Sequence, residues 1–193
     1  MSSLKQRIEL LETDLQAVPP RISVSHDLPF AILRYDPTEE WTLRREVRLL
    51  ATRLEEGGKK VYIIPMSALL CQAIDETEGL EAVVELEQER GYLAAQEQVT
   101  TYLSDRDWRP LAHLLAERLA RYDPAKHIVF LIRVAAMAPG VYHMSKLLDQ
   151  MQGKTRVTTI LFYPGSIEGT MGLRFMDLQD RETLGNYRVK IYG

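Results

Sequence analysis

PFAILRYDPTEEWTLRREVRLLATRLEEGGKKVYIIP, residues 29–65, decides the fold class. Its first seven residues are a short apolar run with a branched residue inside it. Asp36-Pro37 breaks that strand, and Thr38 is placed to cap a helix opened by Glu39 and Glu40. Leu43, Val47, Leu50 and Leu54 then recur at the spacing of one buried helix face, and Gly57-Gly58 stops the helix before KVYIIP (60–65). A strand, a helix and a second strand in this order form a crossover unit, which predicts parallel pairing.

The same alternation continues outward. From residue 67 to 107 the chain reads as helices interrupted at Gly79 and Gly91, an insertion-like segment. An amphipathic helix (108–122) leads into the strand HIVFLIRV (127–134), a helix (138–153) into RVTTILFYP (156–164), and NYRVKIYG (186–193) has the alternation of a one-sided edge strand. At the N-terminus Leu4, Ile8, Leu11, Leu15 and Val18 stripe one helix face behind Ser2 and Ser3, ended by Pro19 and Pro20. Two heptads do not sustain a free coiled coil, so this helix is expected to pack on the domain's own core. The prediction is an α/β three-layer sandwich with a mainly parallel central sheet of about five strands. It is one domain over 1–193, with an N-terminal helix (1–20) and an acidic helical insertion (67–107).

Composition narrows the function classes. A chain of 193 residues with formal net charge −3 has no basic field for non-specific DNA binding, and direct DNA binding by the isolated chain is not expected. The region 154–193, with six basic residues against four acids, is the one stretch where nucleic acid could make contact. Cys71 alone permits no internal disulfide and no zinc knuckle. The N-terminus carries charges throughout, unlike a signal peptide, and no run has the length of a membrane span, so a cytoplasmic protein is expected.

QMQGKTRV (150–157) contains the Gly-Lys-Thr of a phosphate loop. Such a loop needs a glycine at the place held by Leu148, a strand before it and a helix after it. Here the order is reversed, so Gly153 reads as a helix end and no nucleotide cofactor is implied. Ligands of open α/β sheets bind beyond the carboxyl ends of the strands. That rule selects Arg34, Asp36 and Arg133, and Ser166, Glu168, Thr170 and Arg174 in a flexible, glycine-containing loop (163–175), as a candidate anion crevice. The plainer alternative has Asp36 capping a helix, Arg133 pairing with it and the glycines shaping a connection. No base stands beside Ser166, no second carboxylate cluster suggests a metal, and His26, His113, His127 and His143 form no ligand-spaced pair. No catalytic residue and no metal site are assigned. Cys71 reads as a buried inert thiol, and Trp41 and Trp108 as anchors that pin their helices to the core. Between Asp75 and Asp107 ten acids stand against Arg90 and Arg106, so Glu81, Glu85 and Glu89 are a candidate partner-binding face.

Four phrases add what spacing cannot: residues 28–61, QVTTYLSDRDWRPLAHLLAERL (98–119), HIVFLIRVAAMAPGVYHMSKLLDQMQGKTRV (127–157), and 159–176 with the C-terminal NYRVKIYG. Together they resemble the BrxB family, a subunit of bacteriophage-exclusion (BREX) defence systems. The resemblance implies a non-catalytic binding subunit that joins the alkaline-phosphatase-like protein PglZ to a larger complex with methyltransferase and ATPase subunits. It brings no catalytic motif and no cofactor.

Overall fold

The computed structural model describes residues 2–22, 27–168, 172–178 and 187–193; His26 and Thr170 lie outside the described residues. Helix α1 (Leu4–Gln16) starts at a capping box. Ser3 Oγ accepts the Gln6 N–H at 3.2 Å, and Gln6 Oε1 accepts the Ser3 N–H at 2.8 Å. It buries Leu4, Ile8, Leu11 and Leu15 against the sheet, as expected. Val18 is not part of the stripe: the helix ends at Gln16, and Val18 is 89% exposed.

The decisive unit is present. Strand β1 (Phe30–Tyr35) is followed by a 3-10 turn (Pro37–Glu39), helix α2 (Glu40–Glu56) and strand β2 (Lys60–Pro65). Asp36 rather than Thr38 supplies the cap, because proline at the first turn position puts the Thr38 N–H within 2.8 Å of the Asp36 carboxylate. Helices α3 (Met66–Asp75), α4 (Gly79–Arg90) and α5 (Tyr92–Ser104) follow, broken at Gly79 and Gly91, both with positive φ. Helix α6 (Leu111–Leu119), strand β3 (His127–Ile132) and a second 3-10 turn (Val134–Met137) lead to helix α7 (Met144–Met151). That last helix begins later than expected, because Pro139-Gly140 occupies a turn, with Gly140 at φ 150°. Gly153, at φ 71°, closes it in the left-handed conformation and donates to the Asp27 carbonyl at 2.8 Å.

Strands β4 (Thr158–Glu168), β5 (Gly172–Phe175) and β6 (Lys190–Tyr192) complete a mostly parallel sheet. Its order is β2-β3-β4-β1-β6, with β5 antiparallel to β4. Six strands are described where about five were expected. The addition is β5, in a segment read from sequence as a flexible loop: β4 runs on to Glu168, and Gly165 pairs with Phe175 and Ser166 with Arg174. Gly165 has φ 146°, and a Cβ there would strike the Arg174 carbonyl, so the hairpin requires glycine at this position.

Alternation along β1 divides the core. Phe30 and Ile32 face a cluster built by α3, α5, α6 and α7, whereas Ala31, Leu33 and Tyr35 face a second cluster built by α1 and α2. The sheet therefore has helices on both faces, as the α/β reading requires. Among the described residues two helices cover the second face, and at the β2 end Ile63 is left 39% exposed.

The edge strand β6 departs from the one-sided expectation. Ile191 packs toward the first cluster and Tyr192 is buried in the second. The reason is Asp14 of α1, itself buried, which accepts hydrogen bonds from Lys190 Nζ and from the Tyr192 hydroxyl at 2.7 Å. Burial acts to raise the Asp14 pKa, but these two bonds and the charges of Lys190 and Arg21 hold it below the usual carboxylate range.

Candidate functional site

At the carboxyl ends of the strands, the structure brings some expected residues together and separates others. Asp36 is occupied as a cap, accepting both the N–H and the hydroxyl of Thr38, and those bonds hold its pKa below the ordinary value. Arg34 is half-buried on β1 beside it, with Nε buried and unpartnered. Arg133 is elsewhere. It follows β3, with β4 lying between β3 and β1, which separates the two strand axes by about 10 Å. Among the described residues no ion pair joins Arg133 to Asp36; Arg133 instead stands in the left-handed region (φ 57°, ψ 39°) ahead of the second 3-10 turn.

Within the β4–β5 hairpin, Glu168 and Arg174 form an ion pair with each other, so each neutralises the charge expected to face a ligand. Arg174 Nε is buried without a partner. Ser166 stands opposite Arg174 in the ladder. Among the described residues there is no group of three or more metal-ligating side chains.

Arg7 belongs to this neighbourhood and was not anticipated. It is 5% exposed on α1, with Nε unpartnered and its guanidinium 3.7 Å from Glu39. Burial first, and then the charge of Arg34, pull its pKa below the ordinary arginine value. The signal was present: Arg7 lies three residues after Leu4 and adjacent to Ile8, inside the apolar stripe.

Two further assignments change. Cys71 is exposed, not buried, because α3 turns Met66, Leu69 and Ala73 inward and leaves Cys71 on its other side. Trp108 does anchor, meeting Tyr102 edge-to-face at 5.1 Å and packing on the first cluster. Trp41 does not; it is 78% exposed, because α2 buries Leu43, Val47, Leu50 and Leu54 and Trp41 lies off that face.

The acidic segment places its carboxylates in water. Glu81, Glu85 and Glu89 are exposed at successive four-residue steps along α4, and the neighbouring positions Leu80 and Val84 are 59% and 43% exposed. Tyr92 and Leu93 at the start of α5 are exposed as well. Among the described residues Glu81, Glu85 and Glu89 form no ion pair, so this surface combines negative charge with apolar area. Among the described residues no helix is long and apolar enough to cross a membrane.

Comparison with known proteins gives one family. The family model described as "BREX protein BrxB" matches residues 63–191. No curated protein and no solved structure matches the chain.

Proposed function

The chain belongs to the BrxB family of BREX anti-phage defence proteins, and from that premise we propose that it is a non-catalytic adaptor that binds a PglZ-like protein. In this reading it links PglZ to the methyltransferase and ATPase subunits of a larger complex. The observation that carries the reading is the α4 surface, where Glu81, Glu85 and Glu89 flank exposed Leu80 and Val84. Carboxylates that have no ion pair among the described residues can draw a basic face in, and the apolar side chains supply area that water leaves on contact.

Co-expression with a PglZ-like protein followed by purification on one tag is the direct test. Both proteins should elute together, less so as salt rises, because exposed charge pairs are screened. Reversing Glu81, Glu85 and Glu89 to lysine should abolish co-elution. Retention of the complex in that variant would eliminate the acidic face, and failure of the unaltered chain to co-elute would eliminate PglZ as direct partner.

An alternative reading, a small anion- or nucleotide-binding protein, draws on one observation: among the described residues, Nε of Arg34 and of Arg174 is buried without a hydrogen-bond partner. It requires saturable binding of a nucleotide by the isolated chain, lost in Arg34→Ala. A flat calorimetric titration across the common nucleotides would remove it.

A further inference from the structure

The α2 side of the sheet carries a second surface of opposite sign. A groove of about 290 Å³ lies between α2 and the ends of β2 and β3. Its floor is aliphatic, formed by Leu43 and Val47 of α2 with Ile63 and Ile132 of the strands. It exists because α1 and α2 leave the β2 end of this face uncovered. Trp41 stands along one side in water, with the Arg44 guanidinium 4.6 Å from its ring centroid. Arg44 is committed to Glu40 at 2.7 Å, but Arg48 and Arg133 on the rim have no ion pair among the described residues. The backbone at Arg133 is held in the left-handed region, an uncommon conformation for a residue other than glycine, Asn or Asp.

We infer that this groove docks an acidic amphipathic segment of a second protein, with an apolar side chain seated on Ile63 against Trp41 and carboxylates paired to Arg48 and Arg133. The apolar floor and exposed indole call for an apolar anchor, and the two unpaired guanidiniums call for carboxylates. A nucleic-acid strand fits less well. Arg44 already covers one face of the indole, the floor is aliphatic rather than a stacking platform, and Glu40 lines the same groove. Helix α4 of another copy has matching chemistry, but that contact would be head-to-tail, building a ring or a filament of this chain, and would occupy the acidic surface that the PglZ contact uses. The inference stands apart from the PglZ contact, which uses the acidic surface, so either can fail alone. If both hold, the chain is a bridge with one negative and one positive docking face.

The test places a photo-crosslinking residue, Ile63→p-benzoylphenylalanine, in the full chain in its native host, and sequences the peptide captured on irradiation. Expected is a peptide of another protein in which an apolar residue is flanked by Asp or Glu. Its yield should fall roughly tenfold or more when Arg48→Glu or Trp41→Ala is added, as loss of an interface anchor predicts. Capture of a neutral or basic peptide, of a second copy of this chain, or of nucleic acid overturns the inference. So does the absence of any light-dependent adduct, or an adduct indifferent to Arg48→Glu. The same crosslinker at position 41 repeats the test should the substitution at 63 disturb folding, and urea midpoints confirm that each variant is folded.

Discussion

Helices α2 and α4 both leave apolar side chains in water among charges, yet they are held in the molecule very differently. α2 buries Leu43, Val47, Leu50 and Leu54 against the sheet, whereas α4 buries Val83 alone. Trp41 therefore stands on a platform fixed by the core, and Leu80 and Val84 stand on a helix the core barely holds. An exposed apolar residue on α2 is a feature of the sheet's own surface. On α4 most of the helix surface apart from the Val83 side is open to water, and its acidic stripe should be alterable with little consequence for the fold.

That contrast can be broken or sharpened by substitution. The largest effect should come from Leu50→Ala, which empties a fully buried position of α2 and should cost about 3 kcal/mol in urea unfolding. On the same face of the sheet, Asp14→Asn weakens the buried bonds to Lys190 and Tyr192, and a loss of about 2 kcal/mol at neutral pH is expected. The Asp14 pKa is depressed in the folded state, so its contribution is present above the unfolded value of about 3.9 and is lost as pH falls through the folded one. Wild type and Asp14→Asn should thus draw together in stability as pH falls from the unfolded value through the depressed folded one, and curves that stay parallel throughout the acid range would show the carboxylate contributes nothing. Val83→Ala should cost only about 1 kcal/mol. A loss equal to that of Leu50→Ala would place α4 in the core and end the contrast. Smallest of all, reversing Glu81, Glu85 and Glu89 to lysine should shift stability by no more than about 0.5 kcal/mol, while the proposed co-elution with a PglZ-like protein should be lost.

The β1–α2–β2 unit was legible because two periodicities and a pair of glycines agree over 29–65. Gly153 was legible too, since the order helix-then-strand leaves a phosphate loop no helix N-terminus. Strand β5 was not. GLRF is four residues long, begins with glycine and carries a charge, so nothing local marks it; only pairing with β4 makes it a strand. Trp41 was misread because aromatic residues usually anchor. Its position off the 43-47-50-54 stripe already put it toward water. What no helical wheel could supply is the cover of the sheet. The groove beside Trp41 depends on two helices spanning one face, with the β2 end left bare, a property of strand order rather than of any segment. Arg133 stands apart from Arg34 for the same reason, since β4 lies between their two strands.

The bonds from Asp14 to Lys190 and Tyr192 span 176 and 178 positions of sequence. They join α1 to β6 across nearly the whole length of the described chain, a link that no local segment provides. Strand β6, three residues long, pairs with β1 at the edge of the sheet. As a short edge strand, β6 should have amides that exchange with solvent deuterium earlier than those of β1 and β4, which are paired on both sides.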